Sequence, residues 1–383
     1  MRDEKNPELE NLIRWRRDLH RIPELDSELP ETTRYVAGVL ERLSCEVFSP
    51  CEGALCAWFD LGRTSTVALR ADMDALPVLE ATGVPYASER AGRMHACGHD
   101  GHMAMALSAA TWVDHVLAGR AEGVLVDSLP RNVLVVFQPA EETTGGAKRI
   151  CESGVFERLH VDRIFGFHLW PDLPKGALAS RPGALLARSS EVTAEFLGRS
   201  SHIARWQEGK DALAAAARFV PSAEAMCGRL TKESSEPCLL RFGHLEAGTV
   251  RNAIAGHARA EGSLRVFSDS MFDRAKEAIS ALAGSAARTE GCELELTFSE
   301  GYPPVINDAE LFSLAARALP NLDVLDEPLL IAEDFSFYQQ CLPGLFTLLG
   351  TGTGTPLHSD RFDFDERVLL VGASAYQRLL MMP

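Results

Sequence analysis

The stretch Met94–His102 holds more potential metal ligands than any other part of the sequence, because Cys97 and several histidines lie within it. Cys97 and His99 are two positions apart, a spacing that in an extended loop points both side chains to the same side. A thiolate and an imidazole together suit zinc or a similar divalent ion. Residues 103–107 are rich in Ala, Leu and Met, which is typical of the first buried turns of a helix. We therefore expect a metal site at a loop-to-helix junction, with a buried cysteine among satisfied histidines as the alternative.

A second candidate group is the pair Glu141-Glu142, which closely follows the apolar stretch 132–137. That stretch predicts a buried strand. Adjacent side chains in an extended or turning backbone point in different directions. One carboxylate can then coordinate a metal while the other takes a proton from a metal-activated water. The alternative is an ordinary solvated acidic turn.

Two further histidines follow predicted strands. His168 ends the predicted strand 164–167, and His358 lies in a Gly/Thr-rich loop after the predicted strand 345–349. Either histidine alone could be structural. Both are nevertheless placed where additional metal ligands would be expected.

The predicted elements bring these side chains to one edge of a sheet. Asp72 and Asp74 follow the apolar stretch 66–70, and a helix is predicted over 102–118. Strands that alternate with helices indicate a mostly parallel α/β sheet, whose ligands gather beyond the carboxyl ends of the strands. Three such ends carry Asp, Glu or His, and we expect them to converge.

The pattern changes near residue 188. Residues 190–197 and 257–266 alternate like half-exposed strands, and helices are predicted over 209–220 and 271–289. After residue 301 the α/β pattern returns. The prediction is an α/β catalytic domain over 1–186 and 301–383, interrupted by an inserted α+β domain over 187–300.

Composition excludes some classes of function. The 383 residues include 54 acidic and 38 basic side chains, for a formal net charge of −16, whereas nucleic-acid binding would need basic clusters. The charged start Met1–Lys5 leads into no apolar core of signal-peptide length, and no stretch approaches the roughly 20 apolar residues of a membrane span. A cytoplasmic protein without nucleic-acid or membrane partners is expected. The nine cysteines show no framework-like spacing, which favours reduced thiols.

Several motifs, taken in order, resemble the M20 metallopeptidase and amidohydrolase family. The similarity is to its subfamily D, the branch of aminoacylases, hippurate hydrolases, auxin-conjugate hydrolases and N-acetyldiaminopimelate deacetylases. The motifs run nearly from end to end of the chain: 16–25, 70–77, 94–102, 137–142, Ser201-His202, 301–307, 333–336 and Leu357-His358.

The resemblance implies a zinc-peptidase-like α/β catalytic domain with an inserted lid that mediates dimerisation. It implies two divalent metal ions per subunit and Glu141 as the general base. Asp72 and Asp74 would hold the loop and the ligands in place. The implied metal ligands are Cys97, His99, Glu142, His168 and His358.

In the lid, the resemblance assigns His202 to oxyanion stabilisation in the active site of a partner subunit, and Asn252 to substrate contact. The sequence departs from the family pattern nearby. Trp206 stands where the family usually has Pro, and Ala255 stands where Pro usually follows Asn-x-Ile. These departures affect the predicted geometry of the lid loops, and with it the substrate preference, more than the chemistry.

The functional hypothesis is metal-dependent hydrolysis of the amide bond of a small N-acyl amino acid or a similar amide. A dipeptidase or aminopeptidase is the alternative within enzymes, because the same metal-activated water serves any accessible amide. A metal-dependent binding protein without turnover is a third possibility. Zinc or manganese is expected, with cobalt or nickel as further options. A homodimer through the lid is also expected.

Overall fold

The computed structural model describes residues 6–383. They form two compact units. The first contains the chain up to Leu185 together with Ile306–Glu327 and Asp334–Pro383, and the second contains Leu186–Val305 and Pro328–Glu333. The prediction of an insertion limited to 187–300 is therefore wrong at its carboxyl side. The segment Pro328–Glu333 returns to the second unit because the Ala187 N–H donates to the carbonyl oxygens of Leu329 and Ile331.

Strands and helices are numbered through both units in chain order, and they alternate through most of the first unit. The strands are β1 Glu46–Phe48, β2 Leu55–Phe59, β3 Thr66–Asp72, β4 Asn132–Gln138, β5 Val161–Trp170, β6 Leu178–Ser180, β7 Gly183–Leu186, β8 Arg188–Leu197, β9 Leu239–Ala247, β10 His257–Val266, β11 Glu293–Phe298, β12 Val305–Asn307, β13 Leu322–Val324 and β14 Gly344–Gly350. The α-helices are α1 Pro7–His20, α2 Pro30–Leu40, α3 His99–Leu117, α4 Gly146–Glu152, α5 Val155–Arg158, α6 Ala212–Ser234, α7 Asp269–Glu290, α8 Ala309–Ala318, α9 Ser336–Cys341 and α10 Val368–Leu380.

The first unit is built on an eight-stranded sheet in the order β1-β2-β4-β3-β5-β14-β6-β13. Its centre is parallel, because β3 pairs in parallel with β4 and β5, and β5 pairs in parallel with β14. Every residue of β3, β4 and β14 is buried, which explains their continuous apolar sequences. The expectation of a mixed, mostly parallel α/β sheet is confirmed. The carboxyl ends of the four central strands lie at one edge.

Helix α3 begins three positions earlier than predicted, at His99 rather than His102. Gly98 precedes it with φ of +84°, a left-handed conformation that favours glycine. A Cβ atom there would lie 2.9 Å from Leu169 Cδ1. Cys97 and His99 are therefore not in an extended loop, and the predicted reason for their proximity is wrong. They flank a tight turn into a helix whose interior is almost entirely buried.

The second unit is an antiparallel sheet in the order β11-β8-β10-β9, with its own hydrophobic core between the sheet and helices α6 and α7. Buried and partly exposed residues alternate along β10, as predicted from its sequence. Strand β9 was not predicted, because it lies at the edge of the sheet and most of its side chains are exposed. None of the helices in residues 6–383 combines the length and apolar character that crossing a bilayer requires.

Candidate metal centre

The expected metal ligands of the first unit come together at the carboxyl edge of its sheet. The ligand atoms of Cys97, His99 and His168 lie within 4.8 Å of one another, and so do those of Cys97, Glu142 and His358. His168 lies inside β5 rather than after it, because that strand continues to Trp170. The prediction that His168 ends its strand is therefore wrong, although its side chain still reaches the group.

Cys97 and His168 form one buried side of the group. The Cys97 Sγ atom lies 3.4 Å from His168 Nε2. His168 Nδ1 lies 2.7 Å from the Leu169 carbonyl oxygen, an acceptor, so Nδ1 carries the proton and Nε2 offers a lone pair. Burial lowers the pKa of His168 to about 3, so the ring is neutral at pH 7. Burial and the neighbouring carboxylates raise the pKa of the Cys97 thiol well above its usual value. A bound cation would be required to keep the thiolate at neutral pH.

His99 and Glu142 face each other with unsatisfied atoms. His99 Nδ1 donates to the Asp74 carbonyl oxygen at 2.7 Å, which leaves Nε2 without a proton. This Nε2 atom lies 3.8 Å from Glu142 Oε1, and His358 Nε2 lies 3.4 Å from the same oxygen. Both His99 Nε2 and Glu142 Oε1 are buried, and within residues 6–383 neither has a hydrogen-bond partner. Buried polar atoms without partners are costly. A cation between them would satisfy both, so the residues fit the expected metal ions.

His102 is excluded as a ligand by its tautomer, although its ligand atoms lie close to those of Asp72 and His99. The Leu169 N–H donates to His102 Nε2 at 2.9 Å, so that nitrogen is an acceptor. The proton must then be on Nδ1, which donates to Asp72 Oδ1 at 2.6 Å. Both ring nitrogens are occupied. His102 therefore supports the site through Asp72 and the β5 backbone.

Asp74 fixes the turn that carries both glutamates. Its Oδ1 accepts the Glu141 N–H at 2.9 Å, and its Oδ2 accepts the Glu142 N–H at 3.0 Å. Its backbone carbonyl also orients His99. Ala140, just before the pair, has φ of +57°, an unfavourable conformation for a residue with a side chain. The surrounding hydrogen bonds maintain this turn, which separates the directions of the two carboxylates.

The loop after β14 brings His358 to the group. The His358 N–H donates to the Ala96 carbonyl oxygen at 2.9 Å, which ties this loop to the turn before α3. His358 also has a left-handed backbone, with φ of +64°. Its side chain is 53% exposed, whereas that of His99 is 1% exposed. His358 therefore forms the open side of the group.

A buried arginine that the sequence reasoning did not single out lies beneath the site. Arg70 donates to Asp72 Oδ2 at 2.7 Å, to Asp334 Oδ1 at 2.8 Å and to Gln138 Oε1 at 2.8 Å. Burial tends to raise the pKa of Asp72, but Arg70 and the nearby histidines hold it well below its usual value. The signal available in the sequence was an arginine inside an otherwise apolar strand, because such a charge is buried only when it is paired.

A second buried network was also missed. The carboxylate of Asp100 accepts from Arg16 Nε at 3.2 Å and from His20 Nδ1 at 2.8 Å. All three side chains are 1% exposed. Arg16 and His20 are four positions apart and so share one face of α1. The network clamps the first turn of α3, where His99 lies.

His202 and Asn252 belong to the second unit and are both exposed. The Ile203 N–H donates to the Asn252 carbonyl oxygen at 3.0 Å, so the two segments lie side by side. His202 Nδ1 accepts the Ala204 N–H at 3.2 Å, and in the neutral ring the proton is then on Nε2. Trp206 is 62% exposed on the same segment, whereas Ala255 is buried.

Comparison with known proteins decides the family. Residues 68–382 match the model of peptidase family M20/M25/M40. The chain belongs to this family. It is 35% identical over 385 residues to an uncharacterized hydrolase of Staphylococcus haemolyticus, and the match covers 98% of each chain.

Solved structures agree with this assignment. A Bacillus subtilis protein described as a dinuclear metal-binding peptidase of the M20 family has 29% identity and a TM-score of 0.83, covering 98% of each chain. The aminobenzoyl-glutamate utilization protein of Klebsiella pneumoniae has 19% identity and a TM-score of 0.66, covering 97% of this chain and 95% of that one, and it shares the fold. The family predicted from the motifs is confirmed, and the protein is a metal-dependent hydrolase of the M20 family.

Proposed function

We propose that this M20 hydrolase cleaves the amide bond of small N-acyl amino acids, as the subfamily D motifs suggest. The observation that carries the proposal is the Glu141-Glu142 turn, in which Asp74 fixes adjacent carboxylates with one of them facing unsatisfied ligand atoms. A protein that only bound metal would need Glu142 but not Glu141. Two divalent ions, zinc or manganese with cobalt or nickel as further options, would be held by Cys97, His99, Glu142, His168 and His358.

When bound, such ions lower the pKa of a water molecule and polarise the amide carbonyl. Glu141 accepts the proton of the attacking water and later delivers it to the departing amine. Its backbone is held by Asp74, and its side chain is buried. Burial keeps the proton from exchanging with bulk solvent between the two transfers.

His202 is proposed to stabilise the oxyanion, and Asn252 to contact the substrate. The His202 ring is exposed and its Nδ1 already accepts a backbone N–H, so the proton on Nε2 is available to a developing negative charge. Loss of one such donor typically costs about 10² to 10³ in rate. Within the proposed homodimer, His202 of one copy acts on the substrate bound by the other.

The decisive variant is Glu141→Gln, with Glu152→Gln on the exposed side of α4 as a matched control. Both remove one carboxylate, but only Glu141 is proposed to carry the proton. We expect Glu141→Gln to lower kcat by at least about 10² while metal content stays unchanged. Amine release from N-acetyl and N-benzoyl amino acids measures turnover, and elemental analysis measures the metal. An active Glu141→Gln enzyme with full metal occupancy would refute the assignment.

A dipeptidase or aminopeptidase remains the second candidate, because the Bacillus subtilis relative is described as a peptidase. Free dipeptides belong in the same panel as the acylated substrates. Release from dipeptides alone would move the assignment to a peptidase. A protein that binds metal but releases no amine from any substrate would be a binding protein.

We also propose a homodimer through the second unit. Strand β9 is an edge strand, whose outer backbone groups can pair with another strand. Leu245 on β9 and Val250 after it are 47% and 59% exposed. A Leu245→Arg variant is expected to sediment as a monomer, whereas Leu79→Arg, at an exposed leucine of the first unit, should behave like the wild type. Equal sedimentation of all three proteins would argue against this interface.

A further inference from the structure

Helices α4 and α9 of the first unit lie side by side and are anchored at the same end. Asp334 precedes α9, and its Oδ2 accepts the N–H of Ala147 in the first turn of α4 at 3.0 Å. Farther along, the ring of Tyr338 on α9 is in edge-to-face contact with that of Phe156 on α5, the short helix after α4, with centroids 5.7 Å apart. The two helices therefore run in the same direction, and their carboxyl ends meet.

A pair of thiols lies where these ends meet. Cys151 is the penultimate residue of α4, and Cys341 is the last residue of α9. Cys341 is close enough to raise the pKa of Cys151, so the two side chains are neighbours. Both are free thiols, Cys151 partly buried and Cys341 exposed. An exposed thiol thus has a partly buried thiol as its neighbour.

We propose that Cys341 and Cys151 form a site of reversible thiol oxidation by a low-molecular-weight disulfide such as glutathione disulfide. The Cys341 thiolate attacks one sulfur of this oxidant, so that a mixed disulfide forms and one glutathione thiol leaves. The Cys151 sulfur then attacks the Cys341 sulfur and displaces the second glutathione, which takes up the Cys151 proton. The balance is one intramolecular disulfide and two reduced glutathiones for each oxidant consumed.

The two cysteines differ in solvent exposure, as this order of reaction steps requires. The exposed Cys341 is accessible to a molecule as large as glutathione. Cys151 is partly buried, so it reacts with the mixed disulfide on Cys341 rather than with the oxidant itself. Burial and the neighbouring Cys341 raise the pKa of Cys151, which disfavours its thiolate and leaves the first attack to Cys341.

A second pair of neighbouring cysteines, in the second unit, serves as an internal control. Cys227 and Cys238 are also neighbours, because each shifts the pKa of the other, yet they are only 1% and 6% exposed. No part of this pair is open to glutathione. We therefore expect it to stay reduced under conditions that oxidise Cys341 and Cys151.

The test is incubation of the folded, full-length protein with glutathione disulfide, followed by intact-mass analysis and peptide mapping. The wild type should lose two hydrogens and yield a peptide that links Cys151 to Cys341. Cys151→Ser should instead accumulate one glutathione on Cys341, because nothing resolves the mixed disulfide. Cys341→Ser should react at least about ten-fold more slowly at this site. Cys51→Ser, at another partly buried cysteine, should behave like the wild type.

Two results would overturn the proposal. One is a wild type that accumulates the glutathione adduct on Cys341 without forming the internal disulfide. The other is linkage of Cys227 to Cys238 before Cys151 and Cys341 react, which would show that exposure does not select the site. Circular dichroism of each serine variant checks folding, and thiol titration of the unfolded chains gives an independent count of the cysteines lost.

Discussion

The protonated state of His20 is predicted to stabilise the fold of the first unit at neutral pH, and this stabilisation is lost at alkaline pH. Burial lowers the pKa of His20, but hydrogen bonds to Asp100 and Glu80 outweigh burial and raise it to about 9. A histidine in an unfolded chain has a pKa of about 6.5. The stabilisation is therefore complete below about pH 6.5 and disappears as the pH rises through 9.

The magnitude follows from the two pKa values. Between pH 7 and pH 10 the folded protein releases the His20 proton, whereas the unfolded chain has already lost most of it at pH 7. Proton linkage converts this difference to about 2.5 kcal/mol of lost unfolding free energy. The side chain is 1% exposed, so little of this free energy is screened by solvent.

The assay is urea unfolding at pH 7 and pH 10, with chelator present and tryptophan fluorescence as the signal. Trp15, on the same helix, reports on this region. The matched variant is His20→Gln, which retains a side-chain N–H for Asp100 but has no proton to lose. Other groups titrate in both proteins, so the difference between their pH dependences isolates His20. The wild type should lose about 2.5 kcal/mol more than the variant over this range. Equal losses would refute the buried ion pair.

Two further predictions concern the site. Asp74→Ala should lower kcat/KM at least ten-fold and the unfolding free energy by about 1–3 kcal/mol, because the Glu141 and Glu142 N–H groups lose their acceptors. Amine release measures the first effect and urea unfolding the second. An unchanged kcat/KM would show that Asp74 does not position the glutamates. Removal of metal by a chelator should lower Tm, and zinc or manganese should restore it, because bound ions satisfy His99 Nε2 and Glu142 Oε1. Differential scanning fluorimetry checks this, and an unchanged Tm after verified metal loss would contradict it.

The sequence alone was sufficient for the layout of the first unit. Its central strands are buried on both faces, so their continuous apolar stretches were visible, and β4 spans Asn132–Gln138 where a strand was predicted over 132–137. The carboxyl ends of parallel strands share an edge, so the convergence of Glu142 and His168 followed from topology. The alternation in β10 likewise indicated a sheet with one covered face.

The sequence missed features that depend on contacts between distant segments. Strand β9 lacks a clear pattern because it lies at an edge and is exposed. The return of Pro328–Glu333 to the second unit rests on backbone hydrogen bonds. Such bonds do not depend on residue type, so the order of residues does not reveal them. Helix α3 begins at His99 because a left-handed Gly98 turns the chain there against Leu169.

Residue types and spacing thus determined which side chains have the chemistry for a metal-dependent hydrolase. Only the tertiary structure decided which of their nitrogen and oxygen atoms are engaged in hydrogen bonds and which remain available to a metal ion. His102 and His99 are three positions apart in one helix, yet a backbone N–H from β5 occupies His102 Nε2, whereas His99 Nε2 is left with a lone pair. That distinction depends on which hydrogen-bond partner reaches each ring, and partners from distant segments are assembled only when the chain folds.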